Sequence, residues 1–224
     1  MHILFFYLTL HRKVLLILLY YKMNQQAEDI KAIRDMMEKS SKFLSLSGLS
    51  GIFAGFTAIA GAAFAYFYLL KDPAATDYTH QQEVWILLAD ALLVLLLSIG
   101  FGIYFSWKKA RKNKQLLFNS VSKRAIYNLS VPLIAGGIFS YVLLWRGDIG
   151  LATASTLLFY GLALINTSKY TFNEIHYLGI IEVVLGLLAA VFLHNGVLFW
   201  TIGFGFCHIL YGWMMYNKYD RKKK

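Results

Sequence analysis

Three ionisable residues stand inside otherwise apolar runs: Asp90, Glu182 and His208. Glu182 is the most conspicuous, because the stretch GIIEVVLGLLAAVF (179–192) holds no other polar side chain. A charge at the centre of a membrane helix costs roughly 2.5–3.5 kcal/mol on insertion scales, so an acid placed there faces a cavity or a partner. Glu182 and His208 fall in consecutive apolar runs. If those runs fold as a hairpin, the two residues meet near mid-membrane. An acid and an imidazole at contact distance can pass a proton between them. The competing arrangement is a neutral Glu182 satisfied by one hydrogen bond, with no chemistry attached.

Other chemistry-bearing patterns are less specific. GLSG (48–51) matches the GxSG string around the serine of rhomboid intramembrane proteases, and His208 lies in the last run, where such enzymes carry their histidine. Ser50, however, is in the first run instead of a late one, and no companion oxyanion pattern accompanies it. A nucleophilic serine needs a base within hydrogen-bond reach and an oxyanion site. Glu174, His176 and His194 sit towards opposite ends of the fifth run and there is no HExxH, whereas zinc and haem want clustered ligands. No metal or cofactor is expected. The lone Cys207 cannot form an internal disulfide.

The elements that must position these residues are set by composition. The chain has 224 residues, 58% of them hydrophobic and only 15% charged, with mean hydropathy +0.53. A soluble domain carries about 25% charged residues. The apolar residues come in long runs separated by charged clusters, the pattern of a polytopic, all-α transmembrane bundle. The net charge of +10 would suit nucleic acid in a soluble protein. Here it lies beside apolar runs, so the lipid bilayer is the expected partner and nucleic acid is not.

Six spans are predicted near 43–70, 84–107, 125–145, 149–168, 175–194 and 197–217, each long enough to cross a hydrocarbon layer of about 30 Å. The segment 108–124 carries seven Lys/Arg and no acid, and the tail 218–224 is basic too. The segment 71–83 instead holds Asp72, Asp77 and Glu83 against one lysine. The positive-inside rule then puts both termini and the 108–124 loop in the cytoplasm. Trp85 and Trp145 mark one boundary, Trp107 and Trp213 the other. Residues 23–42 read as a cytoplasmic amphipathic helix with Ile30, Ile33 and Met37 as its apolar stripe. Residues 1–22 split two short apolar runs with His11, Arg12 and Lys13, and read as an upstream extension before Met23 or an interfacial segment.

Two further patterns bear on function. Ser47, Gly51 and Gly55, with Ala54, Ala58 and Ala62, recur at spacings of four in the first span, a face that lets helix backbones approach closely in lipid. Packing inside the bundle is the plain use of that face, and a homodimer or a membrane partner protein is the rival. Asp90 and Glu182 also fall in the middle helix of each three-span half, as in inverted-repeat transporters, although no span shows a Gly/Pro-broken middle and Pro132 is read near the start of the third span.

The segment KSSKFLSLSGLSGIFAGFTAIAGAAFAY (39–66) resembles the opening of an uncharacterised family of multi-pass membrane proteins from Bacteroidetes, most specifically over 23–70. The resemblance implies a bacterial inner membrane and a start at Met23, and it brings no activity. The expected role is a non-enzymatic membrane component or partner subunit. The alternative is a small proton-coupled transporter or channel using Asp90, Glu182 and His208, and an intramembrane enzyme is the remote one.

Overall fold

The computed structural model describes residues 21–26, 28–30, 33, 45–70, 78–114 and 116–221, without the side chains of Leu69 and Leu70. The chain divides into two units, 1–42 and 43–224. In the first, the described residues are helical and exposed, Ile30 and Ile33 among them. The rest of the predicted 23–42 stripe and most of the 1–22 segment lie outside the described residues.

The second unit is all-α. It holds six helices long and apolar enough to span a membrane: α1 (Gly48–Tyr68), α2 (His80–Lys112), α3 (Ser120–Trp145), α4 (Ile149–Tyr170), α5 (Asn173–Val191) and α6 (Leu193–Asp220). Among the described residues there is no strand. The chain is an integral, multi-pass membrane protein by this architecture.

Neighbouring helices pack as α2 on α1, α1 on α6, α6 on α5 and α4, α5 on α4 most extensively, and α4 on α3. α2 and α3 meet chiefly at one end, where Val84, Leu144 and Ala152 form a buried cluster. Most of α2 presents Leu92, Leu93, Leu96, Ile99 and Ile103 outward, burying only Val84, Ser106 and Ala110. Apolar side chains on an outer face are the expected state where the solvent is lipid.

Glycine sets the closest seams. A Cβ on Gly212 of α6 would lie 2.5 Å from Ile52 N and 2.6 Å from Gly48 O on α1. Gly161 of α4 and Gly179 of α5 back onto each other's carbonyls in the same way. Without hydrophobic drive between helices in lipid, such close backbone contact is what dispersion has to work with.

The helices around the 108–124 segment depart from the sequence reading at two boundaries. The 108–124 segment is not a loop throughout: α2 continues to Lys112, and α3 starts at Ser120 behind a capping box in which Asn119 and Ser122 serve each other's backbone N–H groups. Only 113–119 connects them, turning at Lys114 with φ 53°. Because α3 starts earlier, Pro132 is its thirteenth residue, not near its start. Proline lacks the N–H that would bond the carbonyl four residues back. That carbonyl, Asn128 O, accepts instead from Asn166 Nδ2 of α4 at 2.8 Å.

The ends of α1, α2 and α6 are clasped by Asp220. Its Oδ2 accepts from Gly48 N (2.8 Å) and Ser47 Oγ (2.9 Å), capping α1, while Oδ1 is 2.7 Å from Lys109 Nζ. Lys109 also donates to Leu46 O at 2.8 Å. Both side chains are only about a tenth exposed. Beside them Lys218 and Tyr219 of α6 bond Glu174 of α5. We call this the clasp end of the bundle.

Candidate functional site

Glu182 is the tenth residue of α5, so it lies about 13 Å along the axis from Asn173. It is 0% exposed, and neither carboxyl oxygen has a hydrogen-bond partner among the described residues. Its place is made by α6 and α4. A Cβ on Gly203 would collide with Glu182 Oε2 and stand 2.7 Å from Leu157 Cδ2. Glycine at 203 therefore makes room for the carboxyl.

His208 of α6 faces the acid, with Nδ1 3.4 Å from Glu182 Oε1. The same nitrogen is 3.0 Å from Gly203 O, and Nε2 is 2.8 Å from Tyr160 OH of α4. One neutral tautomer satisfies both bonds, with Nδ1–H donating to Gly203 O and Tyr160 O–H donating to Nε2. In that tautomer Glu182 receives only the longer, off-line approach of Nδ1, which agrees with its lack of a hydrogen bond. The imidazole is held among rings, with centroids 5.4 Å from Tyr160 and 5.9 Å from Phe204.

The backbone around this site is not a plain α-helix. Thr201–Cys207 winds as a π-helix, immediately before His208. Wider turns of this kind concentrate at functional sites. The helix stays continuous through this stretch, from Leu193 to Asp220, and Gly203 and Gly205 lie within its wider turns.

Asp90 is elsewhere. Its carboxyl oxygens flank Gly61 across the α1–α2 seam, 3.4 Å from where a Cβ on that glycine would stand. Among the described residues no three of His, Cys, Asp and Glu converge as metal ligands would. The structure thus joins two of the three intramembrane residues, Glu182 and His208, and leaves the third on another seam.

The remaining candidates are also placed. Gly51 and Gly55 turn towards α6, backing onto His208 O and Gly205 O. Ala58 and Ala62 are buried, and Ser47 serves the clasp. Ser50 Oγ donates to Ser47 O, and both His208 nitrogens are taken up by Gly203 and Tyr160.

Sequence reasoning missed Tyr160, Gly203 and Tyr211. Tyr211 is one turn beyond His208, and its hydroxyl is buried without a hydrogen-bond partner among the described residues. The available signal was position: Tyr160 is mid-span in α4, at the depth of Glu182, and Gly203 and Gly205 interrupt the run that leads to His208.

No protein-family model matches the chain, and no curated protein and no solved structure matches it.

Proposed function

We propose that this is a non-enzymatic, multi-pass component of a bacterial inner membrane with both termini in the cytoplasm, belonging with the Bacteroidetes family that its 39–66 segment resembles. The clasp end carries the basic residues of the 108–124 segment, which supports that end facing the cytoplasm.

One observation carries the non-transporting part of the reading. Glu182, His208 and Tyr160 close on one another at the α4–α5–α6 junction, while Asp90 stands at the α1–α2 seam. A carrier built on all three would need them to share one site.

The test is proton flux in proteoliposomes under an imposed pH gradient. Wild type and Glu182→Gln are expected to leak equally. A flux that depends on Glu182 would overturn the reading and favour a proton-coupled carrier. That second reading has its own support in the unpartnered oxygens of Glu182 beside the π-helical stretch of α6.

A further inference from the structure

Buried polar groups in this bundle are distributed unevenly about Glu182. Towards the clasp end they form a file. His208 Nδ1 is 3.4 Å from Glu182 Oε1, and Tyr160 OH is 2.8 Å from His208 Nε2. Tyr211 follows one turn along α6, packed with Tyr160 against Leu164, Ile175 and Leu178, and its buried hydroxyl and Glu174 Oε2 both lack a hydrogen-bond partner among the described residues. Tyr219 OH then donates to Glu174 Oε1 at 2.9 Å, and Lys218 Nζ, on the same oxygen, is well exposed. Towards the opposite end Glu182 meets Leu157 and Gly203, backed by Ala154, Ala189, Phe199 and Trp200. The nearest hydroxyl on α6 in that direction, Thr201 Oγ1, is spent on Val197 O at 2.8 Å.

We propose that Glu182 exchanges a proton with one side of the membrane only, through a relay of His208, Tyr160 and Tyr211 that reaches the clasp end at Tyr219 and Glu174. This deepens the reading of the enclosed Glu182–His208 pair: access from one side loads and unloads the acid without carrying a proton across.

The step balances without any co-reactant but water. The imidazole starts with its proton on Nε2, leaving a lone pair on Nδ1 towards Glu182. The O–H bond of the protonated acid breaks and an Nδ1–H bond forms. The Nε2–H bond then breaks towards the Tyr160 oxygen, as the Tyr160 hydroxyl proton moves on towards Tyr211 and, through water, to the Glu174 end. The product is a carboxylate at Glu182 beside the tautomer whose Nδ1–H bonds Gly203 O and whose Nε2 accepts from Tyr160, an assignment that the 3.0 Å and 2.8 Å contacts accommodate. Reloading runs the same steps backwards. The titratable groups facing Glu182 are His208 and Cys207 from α6 and Tyr160 from α4.

The test is hydrogen–deuterium exchange of the Glu182 carboxyl, followed by infrared difference spectroscopy on the full chain in lipid nanodiscs. The carboxyl band is assigned by its loss in Glu182→Gln. Tyr211→Phe and Tyr160→Phe keep the rings and remove the relay hydroxyls, and each is expected to slow exchange by about tenfold or more. Thr201→Val, on the opposite side of the acid, is expected to leave the rate unchanged. Unaltered exchange in both tyrosine variants would overturn the relay. Slowing by Thr201→Val would overturn its one-sidedness, and a missing Glu182 band across the pH range would remove its proton. Failure here is distinct from failure of the functional reading, because equal proton leak in wild type and Glu182→Gln would still stand.

Discussion

The α1–α6 seam should respond sharply to one methyl group. In Gly212→Ala the new Cβ would lie 2.5 Å from Ile52 N, 2.6 Å from Gly48 O and 2.9 Å from Gly51 C. All three are backbone atoms, so no rotamer change relieves the contact. Ordinary contact begins at 3.4 Å, so the helices must part by about 0.9 Å. A gap of about 0.5–1 Å forfeits a quarter to a half of each dispersion well, and overpacking of this kind costs about 1–3 kcal/mol. The control is Gly137→Ala on α3, whose Cβ would have nothing within 4 Å. Alanine there should be neutral or gain up to about 1 kcal/mol from helix propensity. Equilibrium unfolding in mixed micelles would read both variants. The reasoning is refuted if Gly212→Ala and Gly137→Ala lie within about 0.5 kcal/mol of each other.

Other outcomes follow from single contacts. Asn166→Ala should cost about 1–2 kcal/mol by stranding Asn128 O, and adding Pro132→Ala should recover most of it by restoring a backbone donor; additive losses in the double variant would contradict this. Asp220→Asn should lose about 1–3 kcal/mol, read as a lower melting temperature and earlier proteolysis at the start of α1, because it removes the charge facing Lys109. With Cys207 replaced by serine, a cysteine introduced at Asp77 should react with a membrane-impermeant reagent from the periplasm, and one at Asn113 only after the membrane is opened. The reverse pattern would invert the proposed threading.

The spans were legible because apolar runs of about twenty residues have one stable use in a membrane, and charged clusters separate them. The closeness of Glu182 and His208 was legible for the same reason, since a short connection forces α5 and α6 to pack side by side. The ends were less so. Lys108–Lys112 looks like loop by charge, yet the helix needs no apolar residues to continue into the headgroup layer, and Lys109 finds Asp220. Asp220 itself was hidden in a basic tail, because its role as the cap of α1 depends on a contact between positions 172 residues apart. Tyr160 could not be singled out either. Tyrosine is common in this chain, and only the packing of α4 against α6 brings that hydroxyl to the imidazole. Asp90 was grouped with the other two by its place in the chain order, but helix order in sequence does not fix which faces meet, and its face meets α1.

The pairing of Glu182 with His208, apart from Asp90, is the centre of this account. A double-mutant cycle of Glu182→Gln and His208→Gln, measured by equilibrium unfolding, tests it most directly. The pair should couple by more than about 0.5 kcal/mol, while Asp90→Asn with His208→Gln should be additive. Additive losses for Glu182 and His208, or coupling between Asp90 and His208, would contradict it.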